Sequence, residues 1–311
     1  MVVSMICWGS WANTFKLTRG RLRFELFYWD YAIGLAGTAF VAAIIVGHFS
    51  PADEFPGSLL AAHRAPVLWA LTSGIVFNVA NILLVAAIAV AGLAVAFPVA
   101  IGTALIVGTA LTFLVDQKGA PLYICTGVAL AACAVICCAA AYRAQRSEIK
   151  VTRKGVVICL ISGLLMASWA PLAAASMQRQ PGSLTPLSSF IVFAAGVVIS
   201  TVPLNLYFMR RPIIGGPVSM HGYFRSPLRW HGLGILGGAI WSIGTLSNLI
   251  AGSSAGFAIS YAIGQSAPLV ASLWGIFIWK EFASAGSKSK RALVAMFLFY
   301  GAAIAVLAQA L

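Results

Sequence analysis

The chain has 311 residues, 61% of them hydrophobic and 9% charged, with a net charge of +13; an ordinary soluble domain carries roughly 25% charged residues. A soluble globular fold is excluded. A disordered chain, a collagen-like repeat and a disulfide scaffold are excluded too, because apolar content is high, the 30 glycines keep no triplet period and there are only 6 cysteines.

At about 20 residues per membrane crossing, ten crossings and short loops account for nearly all of the length. Apolar runs between charged or Gly/Pro-rich breaks place these spans. Span 1 runs from Val2 to Phe15, span 2 from Phe24 to Gly47, span 3 from Pro66 to Val90, span 4 from Leu93 to Val115 and span 5 from Pro121 to Ala141. Span 6 then runs from Gly155 to Met177, span 7 from Leu187 to Met209, span 8 from Leu233 to Ala251, span 9 from Gly256 to Trp279 and span 10 from Arg291 to Leu311. The expected fold is an all-α integral membrane protein with ten transmembrane helices. Span 1 is short for roughly 30 Å of hydrocarbon, which leaves two readings: a true start upstream of Met1, or a first helix that sits shallow.

Lys and Arg beside membrane spans are retained on the cytoplasmic side. Of the 20 basic residues, 17 follow odd-numbered spans, among them Lys16, Arg23, Arg143, Arg146, Lys150, Arg225, Arg229 and Lys280; Arg64, Lys118 and Arg179 are the exceptions. The odd loops are therefore expected in the cytoplasm and both termini outside. The positive charge reads as an orientation signal, not as nucleic-acid binding. It also follows the first apolar run, where a cleavable signal peptide would carry it before, so span 1 is expected to be retained.

A shift of 164 residues lays Gly74 to Gln117 over Gly238 to Glu281 without a gap. Gly74 falls on Gly238, Phe77 on Trp241, Ala91-Gly92 on Ala255-Gly256, Ala94 on Ala258, Phe97 on Tyr261 and Phe113 on Phe277; Ser10-Trp11-Ala12 recurs as Ser168-Trp169-Ala170. Spans 1, 3 and 4 thus pair with spans 6, 8 and 9. Five is odd, so the second unit is inserted upside down, and the charged loops agree. The expected organisation is a first five-helix repeat over 1–141, a cytoplasmic linker over 142–154 and a second, inverted repeat over 155–311. Inverted repeats are the architecture of secondary transporters, because two similar halves of opposite sense can exchange which side of a shared site is open.

Polar groups inside lipid are costly enough to be informative. Asn78 and Asn81 are three apart on span 3, and the repeat places Ser242 and Thr245 opposite them on span 8. Trp241, Thr245 and Asn248 form a stripe; Tyr261 and Gln265 stack on span 9 near Pro268, and Pro98 interrupts span 4. Such groups can simply tie helices together, at about 0.6 to 2 kcal/mol each. Matched depth in both halves, with aromatics alongside, favours a cavity lining suited to sugars or flat heterocycles. The expected substrate residues are Trp11, Asn13, Asn78, Asn81, Trp169, Trp241, Ser242, Thr245, Asn248, Tyr261 and Gln265, with Trp8 either stacking on ligand or anchoring at the interface.

Among the acidic residues, Asp53 and Glu54 fall in an external loop, Asp116 at a helix end, Glu148 in an internal loop, Glu281 beside Lys280 and Glu25 in the opening turn of span 2; Asp30 alone falls within the membrane. A partly buried carboxyl can carry a proton, so Asp30 is either the proton-coupling group or a fixed ion-pair partner of the basic loop before it. Cys7, Cys125, Cys133, Cys137, Cys138 and Cys159 read as small hydrophobes, and no metal site is expected. His48, His63, His221 and His231 lie in or near loops, so neither an intramembrane enzyme nor a cofactor is expected. Spans 5 and 10 carry few polar side chains and are expected to face lipid or a second copy in a homodimer, although Gly127 and Gly301 are isolated and make no dimer motif.

The stretch Cys7-Trp8-Gly9-Ser10-Trp11-Ala12-Asn13-Thr14, followed by Phe24-Glu25-Leu26-Phe27-Tyr28-Trp29-Asp30-Tyr31, resembles the first hairpin of sugar-uptake permeases. These belong to the drug/metabolite transporter superfamily, in the branch of glucose/ribose uptake and rhamnose–proton symport proteins; plant ureide permeases show a looser version. The resemblance implies a carrier of two inverted five-helix repeats, a cavity between spans 1, 3, 4, 6, 8 and 9, and location in a bacterial inner (plasma) membrane. It also implies import of a small neutral polar solute, a sugar first and a ureide or nucleobase second, with protons as the coupled species and the bilayer as the other partner. A non-transporting scaffold or sensor is the rival from another class.

Overall fold

A computed structural model describes residues 1–49, 55–91, 95, 97–145, 153–178, 180–212 and 215–311. Asp53, Glu54, Arg146, Glu148, Lys150 and Arg179, most of the linker, and the repeat positions Gly92 and Ala94 lie outside the described residues.

The described residues form helices and no strands, as lipid demands of a chain that must pair its backbone within each segment. In order these are α1 (Val2–Ser10), α2 (Ala12–Leu17), α3 (Phe24–Phe49), α4 (Gly57–Leu60), α5 (Arg64–Ala91), a π-helical turn at Phe97–Ile101, α6 (Gly102–Asp116), α7 (Pro121–Gln145), α8 (Arg153–Ser176) and α9 (Pro186–Arg210). Then follow α10 (Met220–Phe224), α11 (Leu228–Ala255), α12 (Phe257–Gly264), α13 (Ala267–Leu273), a second π-helical turn at Trp274–Ile278 and α14 (Ser287–Ala308). Nine segments among the described residues are long and apolar enough to cross a bilayer. Span 1 is not one of them: it divides at Trp11 into helices of 9 and 6 residues.

Span 9 also departs from the continuous helix expected of it. It breaks at Gln265 and Ser266, because Pro268 stands in the first turn of α13 and cannot donate to the carbonyl four residues back. Gly256, at φ +105°, makes the sharp reversal from α11 into α12.

Loop contacts sort the connections onto two ends. At one end Lys16 pairs with Glu281, Tyr142 donates to Glu281, and Arg23 Nη1 donates to the Gly216 carbonyl. At the other His63 N–H donates to Gly182, Lys118 to Ser253, and Ala120 N–H to Ala310. The first end gathers the basic loops.

Helix packing follows an exchange pattern. α5 lies on α8 and α1 on α11; α5 lies on α9 and α3 on α11; α6 lies on α8 and α1 on α13. The crossings share one device. A methyl group on Gly74 would sit 2.0 Å from the Phe193 carbonyl oxygen, and one on Gly196 would sit 2.3 Å from that of Leu71. On the opposite side, Gly238 is as tightly set against Tyr31, at 2.0 Å, and Gly34 against Ile235, at 2.1 Å. Leu71 and Gly74 precede Ile235 and Gly238 by 164 residues, while Tyr31 and Gly34 precede Phe193 and Gly196 by 162.

The core between these crossings is aromatic, built around Phe27, Tyr28, Tyr31, Phe77, Trp169, Phe193 and Trp241. α7 and α14 form a separate flank. Ile124, Val128, Ala131, Val135 and Cys138 of α7 meet Leu293, Met296, Tyr300, Ala303 and Leu307 of α14, both at the spacing of a coiled-coil seam. The two helices expected to turn apolar faces outward therefore spend one face on each other.

Gly74→Val and Gly238→Val should each destabilise the protein by about 2 kcal/mol or more through overpacking. Gly301→Ala, where a methyl group meets open space in mid-helix, should leave stability unchanged or raise it by up to about 1 kcal/mol. Melting curves of the purified protein in detergent measure both.

Candidate functional site

A cavity of about 100 Å³ lies at the centre of the bundle, among Trp8, Trp11, Phe77, Asn81, Met166, Trp169, Trp241 and Gln265. A second space of about 250 Å³ continues it past Leu84, Ile101 and Ala267 to Asn13, Lys16, Tyr142, Trp279 and Glu281 at the basic end. Trp8, Trp11, Leu84, Ile101, Gln265 and Ala267 line both spaces, so they form one passage. A larger concavity of about 490 Å³ between α6 and α7 is walled by Ile106, Leu114, Val128 and similar side chains; it offers lipid a groove and a solute almost no polar partner.

Flat rings build the inner cavity. Phe77 stacks on Trp241 with centroids 4.1 Å apart, and Trp8 stacks on the same indole at 6.4 Å. Trp169 stands edge-on to Trp8 at 5.8 Å and to Phe77 at 6.0 Å. The carboxamides at this spot are Asn81, whose amide nitrogen donates to the Tyr28 hydroxyl at 3.2 Å, and Gln265. Trp169 Nε1 is buried with no hydrogen-bond partner among the described residues. A buried donor left open is costly.

Other expected site residues are engaged elsewhere, which corrects the reading of one common polar lining. Asn78 and Asn81 share a helix side but differ by about 60° around the axis, and Asn78 turns toward α9. There it accepts from Tyr28 at 2.7 Å and donates to Ser200 at 2.9 Å and Thr201 at 3.1 Å. Thr245 accepts from Trp8 Nε1 at 3.1 Å, which holds the Trp8 ring at the cavity wall. Asn248 and Ser260 exchange hydrogen bonds with each other's backbone carbonyls at 2.8 and 2.9 Å. Tyr261 donates to the carbonyls of Ala104 and Met166, and Ser242 is fully buried outside the lining. Thr245, Asn248, Ser260 and Tyr261 lie toward the end opposite the basic loops, while Asn78 sits at mid-helix.

Asn13, also expected at the site, belongs to the outer space. It accepts from Trp279 Nε1 at 2.6 Å, and Trp274 donates to Ser10 at 2.9 Å. Lys16 lies 4.6 Å over the Trp279 ring while pairing with Glu281. Charged residues counted as loop punctuation thus line the passage. Phe77 was marked only by its alignment with Trp241, and that match was the available signal for the stacked pair.

Asp30 is 1% exposed. The expected alternative, an ion pair with the basic loop before it, is corrected: Arg23 pairs with Glu25, and Asp30 instead accepts from Tyr223 at 2.6 Å and meets His231 Nδ1 at 2.8 Å. His231 stands in the first turn of α11, next to the loop that precedes it.

Asn78→Leu should cost about 2 kcal/mol or more, since it strands buried hydroxyls, whereas Asn81→Leu, which removes one donor to Tyr28, should cost about 1 kcal/mol. Thermal unfolding of the two variants in one detergent gives the comparison.

Residues 141–310 match the ureide permease family model. Ureide permease 1 of Arabidopsis thaliana is 23% identical over 371 aligned positions, which cover 99% of this chain and 95% of that protein. Ureide permease 5 of the same plant is 23% identical and covered to 92%. Transmembrane protein 144 homolog B of Dictyostelium discoideum is 26% identical over 156 positions, half of this chain. A solved crystal structure superposes with a TM-score of 0.68 at 15% identity, over 98% of this chain and 93% of its own, and so shares the fold. A transporter family's model covering more than half the chain agrees with a bundle that encloses a polar-edged passage: the chain belongs to the ureide permease family and is a membrane transporter.

Proposed function

We propose that this transporter is a secondary carrier of a small, neutral, flat amide-bearing ring, a ureide or nucleobase, that works by alternating access. The observation that carries the reading is the slot itself. Indole and phenyl faces stand around a space of about 100 Å³ whose lining includes two carboxamides, those of Asn81 and Gln265. Carboxamides offer a donor and an acceptor side by side, the pattern on the edge of a cyclic amide. The space is also below the roughly 300 to 1,000 Å³ of ordinary ligand pockets, which favours a small planar solute. Names of the relatives point to ureides as well. Sugars, the first expectation from sequence, supply the comparison, because their apolar faces also stack on indoles.

The carrier reading includes ten spans in two inverted five-helix halves, with α1 and α2 together forming the first. Its support is the exchange pattern in the packing: each close glycine crossing has a counterpart 162 or 164 residues away with the roles of the halves reversed. Placing the basic loops in the cytoplasm follows the charge rule. The passage is then open to the cytoplasm and closed outside, both termini lie outside, and the protein sits in the plasma membrane. Import is coupled to protons, with Asp30 as the carrier of charge.

A thermal-shift screen of the purified protein against allantoin, uracil, rhamnose and glucose tests the substrate. Allantoin or uracil at a hundredfold excess over its Kd should stabilise the protein by about 2.7 kcal/mol, and Trp241→Ala or Asn81→Leu should remove most of that shift and of vesicle uptake. A shift with the sugars alone would reverse the order of substrates. No shift and no uptake with any of the four would favour the scaffold reading.

A further inference from the structure

We propose that Asp30, His231 and Tyr223 form a proton-binding site whose occupancy controls the junction between α3 and α11, one helix from each half. The inference deepens the proton-coupled carrier reading and rests on it. Asp30 belongs to α3, Tyr223 to α10 and His231 to α11. One carboxylate oxygen takes the Tyr223 hydroxyl at 2.6 Å and the other faces His231 Nδ1 at 2.8 Å, and the Tyr223 and His231 rings meet edge-on at 4.5 Å. Tyr223 lies outside the spans; burial, then the Asp30 hydrogen bond and charge, hold its hydroxyl well above the usual tyrosine range, so it remains a donor.

The charged surroundings are few. From α10, His221 and Arg225 are exposed; from α11, Arg229 is exposed and lies over Trp230. From α9, Arg210 and Arg211 are exposed, and Met209 takes the Trp29 indole N–H instead. On α3 itself, Glu25 is bound to Arg23. The exchangeable proton at Asp30 is therefore shared with His231.

With a proton on the imidazole beyond the one it donates, the pair is neutral as a unit, carboxylate against imidazolium. Release of that proton to water leaves a net negative charge at a residue almost without exposure, which is costly in a low-dielectric setting. The cost falls on a helix crossing with no slack, since a methyl group on Gly234 would sit 2.3 Å from the Asp30 Cβ. Opening this junction admits water to the carboxylate. Two links run from here to the cavity: Tyr31, next in sequence to Asp30, packs on Trp11 at 5.1 Å, and Tyr28, half a turn back, holds Asn81. Proton loss and movement of the cavity wall thereby become one event, and a ligand or proton that prefers one arrangement shifts the population.

The test uses the full chain in proteoliposomes with labelled allantoin. One proton per neutral solute and a pH gradient of one unit at zero membrane potential support up to about tenfold accumulation. Wild type should approach that value, whereas His231→Asn should fall to about one while keeping allantoin counterflow. Counterflow by wild type without accumulation would remove the proton from the carrier and overturn this inference with it; absence of counterflow in wild type would refute the substrate class first. Accumulation by His231→Asn equal to that of wild type would overturn this inference alone. A substrate-free measurement runs beside it: the melting midpoint between pH 5 and 8 should lose a titration step in His231→Asn and in Asp30→Asn, and keep it in His221→Asn. Superimposable pH profiles for wild type and His231→Asn would also overturn the proposal.

Discussion

Backbone-to-backbone approach at four glycines is the constraint on which the rest of this bundle depends. In lipid, apolar side chains gain little by leaving their surroundings, so helices associate through close packing and interhelical hydrogen bonds. Gly74 and Gly196 join α5 to α9, and Gly34 and Gly238 join α3 to α11, each with no room for a methyl group. Both crossings unite a helix from the N-terminal part with one from the C-terminal part. The central cavity lies between them, and the stacked Phe77 and Trp241 rings are one turn beyond Gly74 and Gly238.

Once the crossings are set, many of the buried polar groups bond across helices. Those facing a neighbouring helix are consumed: Asn78 by Tyr28, Ser200 and Thr201, Asn248 by Ser260, Tyr261 by two carbonyls. Others, among them Trp169 Nε1 and the hydroxyls of Tyr31, Thr109 and Ser242, are buried with no partner among the described residues. Unequal distribution along the passage gives the molecule its asymmetry. Toward the end away from the basic loops Asn248 and Ser260 bond each other's helices and Thr245 takes the Trp8 indole, and the basic end is lined by Asn13, Lys16, Trp279 and Glu281.

The break in span 9 belongs to the same logic. Irregular backbone is tolerated at membrane depth where it borders a cavity, and the residue at the break, Gln265, is one that lines both spaces. Discontinuous helices at the midplane are where carriers present polar groups to a solute. α7 and α14 pack on each other through a continuous apolar seam, and α7 adds Tyr142 to the basic end of the passage.

Composition and hydropathy alone determined the membrane class, the order of the nine long apolar segments among the described residues, and the grouping of basic loops, because each follows from the energy of transferring a stretch of chain into lipid. Internal matches such as Gly74 with Gly238 and Phe77 with Trp241 marked two positions that the fold uses. What the sequence did not decide was the heading of each polar side chain. Asn78 and Asn81 differ by three residues and by about 60° of rotation, which is enough to send one into a helix interface and the other to the cavity. Partners distant in sequence were equally hidden: Asp30 meets His231 only because α11 folds back against α3 at Gly234. Periodicity reports which side of a helix is polar; which neighbour stands there is decided by tertiary packing.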